Sequence, residues 1–263
     1  KSGWLKGSDI FGLKVVSWFG DNADKGLPAL IGTIMVMDAA TGAPIGILDG
    51  SHITGIRTGA AGAIGAKALA RENSETLMVV GAGHVATFQV AATLMLFPRL
   101  KKVYVYDGLS MENAEKFAAS MPDTLKSSFD YDACGVSFEA VADLPKATGE
   151  SDIIITVTPS HTPIIQKEWV KAGTHFSCIG SDMSGKEEID PEIFADARVF
   201  TDDTPQCINV GEIEIPIQKG ILKKEDIAGE IGEILIGETV GRENDEQITV
   251  FHATDTDLID LLT

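Results

Sequence analysis

The sequence predicts an α/β fold in which a doubly wound parallel sheet is inserted into a second, discontinuous α+β domain. Residues 76–107 contain a strand, a glycine turn, a helix and a second strand, in that order. Four further strand candidates follow before residue 202, which makes six, the number in a complete doubly wound sheet. Residues 12–48 precede this unit and have the pattern of an antiparallel meander, so the parallel sheet is expected in the middle of the chain.

The predicted meander consists of three β-rich runs, at residues 12–19, 32–38 and 45–48. Residues 20–26 between the first two runs are rich in turn formers. Residues 39–44 contain Gly and Pro and are typical of a hairpin loop. This part of the chain is therefore expected to be antiparallel and not a further strand–helix–strand unit.

Residues 52–70 are predicted to form a helix that is rich in small side chains. Each glycine inside a helix costs about 1 kcal/mol relative to alanine, and this helix has four. Such a cost predicts close approach by another helix, by backbone or by a ligand, and the residues alone leave these alternatives open. The four glycines are Gly55, Gly59, Gly62 and Gly65.

The turn after the first parallel strand has the pattern of a dinucleotide-binding (Rossmann) unit. Gly81 permits a tight turn, Gly83 lets a pyrophosphate approach the backbone, and the small Ala86 lets the helix pack closely on its strand. The backbone of His84 is expected to face the phosphate, at the positive end of the helix dipole. The alternative is a glycine turn that serves packing only.

Asp107 ends the second parallel strand at about the 20-residue spacing expected after such a turn. A carboxylate there accepts hydrogen bonds from a ribose 2′-OH and repels a 2′-phosphate. Gly108 and Leu109 supply no arginine that would receive that phosphate. The predicted cofactor is therefore NAD(H) in preference to NADP(H).

The other strand candidates of the parallel sheet are residues 135–138, 152–157, 174–179 and 198–201. The strand pattern stops after residue 202.

Residues 212–219 and 224–236 are predicted to be helical, and residues 248–251 are predicted to form a strand that rejoins the meander. The predicted domains are therefore residues 71–202 for the nucleotide domain and residues 1–70 with 203–263 for the second domain.

The net charge of −18 argues against nucleic acid and anionic membranes as partners. The acidic pairs and clusters at residues 187–188 and 243–246 are expected to be solvated surface. No apolar run approaches the length of a membrane span, and Lys1 begins no signal-peptide pattern.

Three cysteines share no metal spacing, and five scattered histidines show no zinc-type pairing. These counts predict a reduced, cytoplasmic protein without a metal site.

Candidate chemistry follows from where the parallel strands end. Ligands of an open α/β sheet bind beyond the carboxyl ends of its strands, and the fourth and fifth predicted strands end at residues 156–159 and 179–182. Asp182 is therefore predicted to project toward the reactive ring of the cofactor, as a general base or as the partner of an ammonium group. The alternative is that Asp182 only caps the turn after the strand.

Lys14 lies on the first predicted strand among apolar residues, and Arg57 lies in the glycine-rich helix. An arginine and a second cation are what a substrate carboxylate requires, so this pair is a candidate substrate site. The alternative is a lysine with only its stem buried and an arginine in a surface ion pair.

These segments together resemble the ornithine cyclodeaminase/μ-crystallin family, nearly from end to end. The Arg-Thr-Gly-Ala-Ala and Asp-x-x-Gly-Lys runs are more specific than the glycine turn. The segments that carry the resemblance are GLKVVSWFGDN (12–22), KGLPALIGTIMVMDAATGAPIGILDG (25–50), GIRTGAAGAIGAKALA (55–70), VVGAGHVA (79–86), GSDMSGKEEID (180–190) and ITVFHATDTDLID (248–260).

The resemblance implies a homodimeric enzyme with a Rossmann domain and a discontinuous domain for substrate binding and dimerisation. It implies that Asp182 is the catalytic acid/base, that Lys14 and Arg57 hold the substrate carboxylate, with Lys14 also in the catalytic set, and that Lys186 supports the site near Asp182. The cofactor-binding residues that it implies are Gly81, Gly83, His84, Val85, Asp107, Thr158, Ile179 and Lys186.

The activity that the resemblance implies is NAD(H)-dependent oxidoreduction at the Cα–N bond of a small L-amino acid or cyclic imine, as in alanine dehydrogenases and imine reductases. One alternative is an ornithine cyclodeaminase, which releases ammonia, forms proline and recycles NAD. Another is a μ-crystallin-like protein that binds the cofactor without turnover. The chain is expected to be shorter than the family at both ends, and Asp255 stands where the family has glycine.

Overall fold

The computed structural model describes residues 2–5, 7 and 9–254. The chain forms two compact units, one that reaches to Thr58 and one from Gly59 to Thr254. The predicted division lies instead at residues 70/71 and 202/203. The difference arises because the second half of the glycine-rich helix and the last strand both pack with the parallel sheet.

The first unit is an antiparallel sheet whose four strands follow one another in chain order. The three predicted strands of the meander are confirmed, and a short strand that the sequence pattern did not indicate precedes them. The strands are β1 (Ser2–Leu5), β2 (Ile10–Trp18), β3 (Leu30–Asp38) and β4 (Pro44–Asp49), with a 3-10 turn at Gly20–Lys25.

The two faces of this sheet differ in exposure. Lys14 pairs with Ile34 on one face, and both side chains are buried. The pairing register places Trp4, Val15, Ile31 and Ile47 together on the opposite face. All four are exposed, so this face is apolar and is left uncovered by the described part of the chain.

Helix α1 (Gly50–Leu69) confirms the predicted glycine-rich helix. Its glycines admit close neighbours in the second unit. A Cβ on Gly59 would lie 2.6 Å from the carbonyl oxygen of Phe88, and one on Gly65 would lie 2.2 Å from the ring of Phe251. Tight packing against a helix and a strand therefore explains these glycines.

The second unit alternates strands and helices as predicted. Its elements are β5 (Thr76–Val80), α2 (His84–Leu96), β6 (Lys102–Tyr106), α3 (Met111–Phe129), β7 (Ser137–Ala140), α4 (Leu144–Glu150), β8 (Ile153–Thr156), β9 (His161–Ile165), β10 (His175–Cys178), β11 (Glu187–Ile189), β12 (Ala197–Thr201), α5 (Thr204–Cys207), α6 (Glu214–Gln218), β13 (Gly229–Glu230), α7 (Ile231–Leu235) and β14 (Ile248–His252). Short 3-10 turns lie at Lys167–Trp169, Pro191–Ala195 and Lys224–Asp226.

Eight of these strands form one parallel sheet in the order β13-β12-β14-β10-β8-β5-β6-β7. Read from β7, the six strands β7-β6-β5-β8-β10-β14 follow the doubly wound order 3-2-1-4-5-6, which confirms the predicted fold class. The central strands β8 and β10 are buried along their whole length, as strands covered on both faces are. β9 and β11 form a separate two-stranded parallel ribbon.

The prediction that residues 248–251 rejoin the meander is wrong. β14 lies between β10 and β12 and pairs with both in parallel. Four of its five residues are buried, so the apolar run suits a central parallel strand. The run itself carries no information on which of two sheets receives it.

The predicted helix at residues 224–236 is also wrong in extent. The segment is a 3-10 turn, then β13, then the five-residue α7. Gly229 has φ +149°, a backbone conformation that no helix contains. The shorter helix predicted at residues 212–219 is confirmed as α6.

No helix in the described part of the chain is both long enough and apolar enough to cross a membrane.

Candidate active site

The glycine turn between β5 and α2 has the backbone that a dinucleotide requires. Gly81 has φ +109°, and a Cβ on it would lie 2.9 Å from the carbonyl oxygen of Val157, so only glycine fits. Gly83 is extended at the start of α2, no side chain caps the helix there, and a Cβ on Gly83 would meet no atom within 4 Å. The open space faces uncapped amide groups, which fits a phosphate at this position.

Asp107 lies at the end of β6, beside the same turn. Its Oδ2 accepts a hydrogen bond from the amide of Ala82 at 3.3 Å, and its Oδ1 accepts from the amides of Leu109 and Ser110 at 2.9 and 3.1 Å. These bonds orient an acceptor group next to the glycine turn, as a ribose hydroxyl requires.

His84 and Val85 form the first turn of α2. The ring of His84 is exposed and stacks edge-on against Phe88, with 5.0 Å between the ring centroids. Val85 is half-buried. Both residues therefore stand at the opening of the turn, and their contact with a cofactor stays a prediction.

The loops after β8 and β10 meet directly. The amide and hydroxyl of Thr158 both donate to Oε1 of Glu188, at 2.6 and 2.8 Å, so both donors point into the protein. Ile179 is 5% exposed and packs in the core. Thr158 could therefore contact a cofactor only as a hydrogen-bond acceptor, and Ile179 only through its backbone.

Asp182 follows β10 and is half exposed, with its carboxylate held by a buried lysine. The Nζ of Lys186 lies 2.5 Å from Oδ1 of Asp182 and 3.3 Å from the carbonyl oxygen of Gly180. Gly185, at φ +77°, lets the loop turn back, and Glu214 accepts from its amide at 3.0 Å. The structure thus brings together the Asp-x-x-Gly-Lys pair that the sequence singled out.

Two glutamates behind this loop were missed by the sequence pattern. Glu188 and Glu212 are fully buried, and Glu187 is 6% exposed, so the expectation that residues 187–188 are solvated surface is wrong. Burial raises the pKa of Glu188 to about 7. Burial and the charge of Glu188 raise the pKa of Glu212 to about 8. No pattern in the sequence separates these acids from surface ones, since their burial depends on the β9–β11 ribbon.

In the first unit, Lys14 and Arg57 are each 3% exposed, so the alternative of a surface lysine and a surface arginine is wrong. The Nζ of Lys14 donates to the hydroxyl of Thr54 at 3.1 Å. Arg57 lies one turn after Thr54 on the same face of α1. Buried cations at these positions agree with a role toward an anion, which stays a prediction. Asp255 lies outside the described residues.

The ornithine cyclodeaminase/mu-crystallin family model matches residues 3–261 of the chain. The chain is 37% identical, over 243 residues, to the alanine dehydrogenase of Archaeoglobus fulgidus, and the match covers 92% of this chain and 71% of that protein.

Two solved structures are similar over nearly the whole chain. An archaeal alanine dehydrogenase dimer with bound NAD superposes with a TM-score of 0.87 and 36% identity, covering 99% of this chain and 76% of that one. The Δ1-pyrroline-2-carboxylate reductase of Thermococcus litoralis, in complex with NADH and L-proline, gives a TM-score of 0.85 and 30% identity, covering 99% and 82%.

Proposed function

The chain belongs to the ornithine cyclodeaminase/mu-crystallin family, and from that premise we propose that it is an NAD(H)-dependent oxidoreductase acting at the Cα–N bond of a small L-amino acid or imine. The observation that carries the proposal is the Asp182–Lys186 pair after β10, on the same edge of the sheet as the glycine turn and Asp107. In a doubly wound sheet that edge is where the ligand binds.

The cofactor is proposed to lie against the turn at Gly81 and Gly83, with its ribose on Asp107. The carboxylate of Asp107 would repel a 2′-phosphate, and Gly108 offers no cation, which supports NAD(H) over NADP(H). These residues would hold the cofactor, and a bound NAD would supply hydride acceptance at Cα of the substrate, which would give an imine.

Asp182 is proposed as the acid/base of the reaction. Its half-exposed carboxylate is available to a substrate amine or to a water molecule, while Lys186 fixes its orientation from the protein side. Asp182 would take a proton from the substrate ammonium group and release it to solvent, and it would then take a second proton from the water that attacks the imine carbon. Return of this second proton to the amine would let ammonia leave, and loss of the hydroxyl proton to Asp182 as the C–N bond breaks would give the 2-oxo acid.

Lys14 and Arg57 are proposed to bind the substrate carboxylate. A guanidinium group offers two parallel donors to a carboxylate, and a lysine ammonium adds a second charge. Both side chains are buried in the first unit.

We further propose that the chain forms a homodimer through the apolar face of its meander. Trp4 and Ile47 are 62% and 69% exposed, and Val15 and Ile31 share their face. A contiguous apolar face of this kind typically marks an interface. Ile47→Lys is therefore expected to shift the sedimentation coefficient to that of a monomer, whereas Ile56→Lys, which changes an exposed residue of α1, serves as the control.

The experiment that tests the function is incubation of the protein with NAD and a panel of L-amino acids, with NADH and ammonia measured together. NADH and ammonia in equal amounts would support the proposal, and so would NADH consumption with cyclic imines. Ammonia and proline from ornithine without net NADH would instead indicate a cyclodeaminase. Binding of NADH, detected by its fluorescence, with no product from any substrate would indicate a protein that only binds the cofactor.

A further inference from the structure

A pair of buried glutamates lies behind the loops that end the fourth and fifth strands of the sheet. Glu188 on β11 and Glu212 before α6 are fully buried. In the described part of the chain no lysine or arginine pairs with either carboxyl group. Their partners are backbone amides and hydroxyl groups.

Glu188 ties the two loops to each other. Its Oε1 accepts from the amide and hydroxyl of Thr158, after β8, and its Oε2 accepts from the amide of Gly180, after β10, at 3.1 Å. A Cβ on Gly180 would lie 2.4 Å from the amide nitrogen of Thr158, so the two loops pack too closely for a side chain at this position. A change at this carboxyl group therefore reaches both strand ends.

Glu212 holds the next residue of the same loop. Its Oε2 accepts from the hydroxyl of Ser181 at 2.5 Å, and its Oε1 accepts from the amides of Glu188 and Ile189 at 2.9 and 2.8 Å. Ser181 directly precedes Asp182. The two glutamates thus hold consecutive residues, Gly180 and Ser181, immediately before the proposed acid/base.

We propose that Glu188 and Glu212 are positioning residues, which act through Gly180 and Ser181 to hold Asp182 in place for the reaction. The inference rests on the proposed function where it names Asp182 as the acid/base. We call the hydrogen bonds of Glu188 and Glu212 to Thr158, Gly180 and Ser181 the clamp, and all of them form within the chain. It therefore has consequences for the loop that can be measured without substrate.

The clamp is sensitive to pH because the two carboxyl groups share one buried site. Burial raises the pKa of both carboxyl groups, to about 7 for Glu188 and about 8 for Glu212, so the pair keeps a proton at neutral pH and loses it as the pH rises. A protonated Glu212 can donate to the hydroxyl oxygen of Ser181, which reverses that bond and keeps it. Full ionisation places two like charges in a site without a cation and loosens the loop.

Other ionisable groups of the described residues lie near this site. Burial and both glutamates raise the pKa of the Cys178 thiol on β10 well above its ordinary value. The Nδ1 of His252 on β14 lies 3.3 Å from the carbonyl oxygen of Cys178. Lys186 contacts Gly180 and Asp182. The thiol therefore stays neutral, and the positive charge of Lys186 is directed to Asp182.

The test is amide hydrogen exchange of residues 178–186 in the full chain without substrate, together with kcat. In Glu188→Gln an amide NH2 faces the Gly180 amide in place of an acceptor, so protection of the loop and kcat are both expected to fall about tenfold or more. Glu187→Gln is the matched control, because Glu187 lies on the same strand and faces Lys219 at 3.8 Å.

Glu212→Gln provides the second arm, since it mimics the protonated state. In the unmodified chain, protection corrected for the intrinsic rate is expected to fall between pH 6.5 and 9 by about threefold or more, and Glu212→Gln should abolish that fall. Should Glu188→Gln not fold, Ser181→Ala removes the hydroxyl partner of Glu212 and is expected to raise exchange of the same loop.

Unchanged exchange in Glu188→Gln, or an equal loss in Glu187→Gln, would overturn the inference. So would a Glu212→Gln chain that loses protection at alkaline pH as the unmodified chain does. An inactive unmodified chain with the expected exchange response removes the proposed reaction but supports the clamp, so the two failures are distinguishable.

Discussion

The amino edge of the parallel sheet is the edge at which its strands begin. There Asp152 accepts hydrogen bonds from Arg71 and Lys171, at 2.7 and 2.8 Å, and from two backbone amides. At the carboxyl edge, where the strands end, Glu188 and Glu212 are buried more deeply, and no lysine or arginine among the described residues pairs with them. Burial opposes ionisation of Asp152, but its hydrogen bonds outweigh this and lower its pKa. The pKa values of the two glutamates are raised instead.

The two edges of the sheet are expected to differ in role, with stabilising ion pairs where the strands begin and the proposed catalytic groups where they end. A carboxylate that is fully paired stabilises the fold and has little capacity to exchange protons. Carboxyl groups buried without cations weaken the fold at high pH and are found where function requires them. The amino edge should therefore respond to mutation in stability, and the carboxyl edge in turnover.

The largest expected effect is that of Asp182→Asn. Loss of the acid/base is expected to lower kcat by about a thousandfold, within the range for general acid–base catalysis. The NADH dissociation constant should stay within a few-fold, because Asp182 is not part of the glycine turn. Steady-state kinetics and NADH fluorescence titration measure the two quantities. Turnover equal to that of the unmodified chain would remove Asp182 from the mechanism.

Asp152→Asn tests the opposite edge. It removes the common partner of Arg71 and Lys171, and it should lower the free energy of unfolding by about 3 kcal/mol, as loss of one member of a buried ion pair does. The kcat of the folded fraction should not change. Urea denaturation measures the loss, and Lys101→Ala, which breaks an exposed pair with Glu75, should cost less than about 1 kcal/mol.

A third change exchanges the cofactor preference. Asp107→Ser together with Gly108→Arg removes the carboxylate beside the ribose and supplies a cation for a 2′-phosphate. Gly108 has room for a side chain, since its built Cβ meets only the ring of Tyr106 at 3.9 Å. The ratio of kcat/KM for NADP to that for NAD is expected to rise by about tenfold or more. Gly108→Leu in the same background lacks the charge and should not reproduce the rise.

The smallest expected effects are in the pH dependence of stability. The amino edge should lose stability at acid pH, and the carboxyl edge should lose it at alkaline pH. At the amino edge, burial and Arg242 lower the pKa of His175 to about 3, so the folded chain keeps it neutral. Its contribution to stability is present above its unfolded pKa of about 6.5 and is lost as the pH falls from there toward 3.

The glutamate pair has the reverse sign. Because the folded pKa values are raised above the ordinary value of 4.5, its contribution is present below 4.5 and is lost as the pH rises through about 7 and 8. Urea denaturation at pH 3.5 and 4.5 measures the loss at acid pH, and denaturation at pH 6.5 and 8.5 measures the loss at alkaline pH, because only one of the two contributions changes within each interval. Glu212→Gln should reduce the loss of stability at alkaline pH and leave the loss at acid pH unchanged, while His175→Gln should do the opposite. Equal flattening by both variants would mean that the edges are not separate.

The sequence was sufficient for the parts of this site that are local. The glycine turn, Ala86 and Asp107 belong to one contiguous strand–helix–strand unit, in which spacing alone fixes geometry. Asp182 was located from the end of a strand, because parallel strands bring their carboxyl ends to one edge. The placement of Lys186 near Asp182 came from the family resemblance and not from the spacing of the residues.

The remainder depends on long-range packing that no local pattern contains. The apolar run of β14 suits either sheet, and only its neighbours β10 and β12 determine its place. The isoleucine spacing of residues 224–236 favours a helix until Gly229 at φ +149° interrupts it. The burial of Glu188 and Glu212 requires three separate segments to converge, so Glu188, which was predicted to lie on the surface, is buried in the interior.

The most direct test of this account is a crystal structure of the chain with NADH bound. We expect the pyrophosphate against Gly81 and Gly83, the adenosine ribose on Asp107, and the nicotinamide beyond the ends of β8 and β10, on the side of Asp182. A nucleotide seated at the amino edge, for example in the cavity of about 470 Å³ beside Arg99 and Tyr131, would contradict the account. So would a nicotinamide that Asp182 does not face.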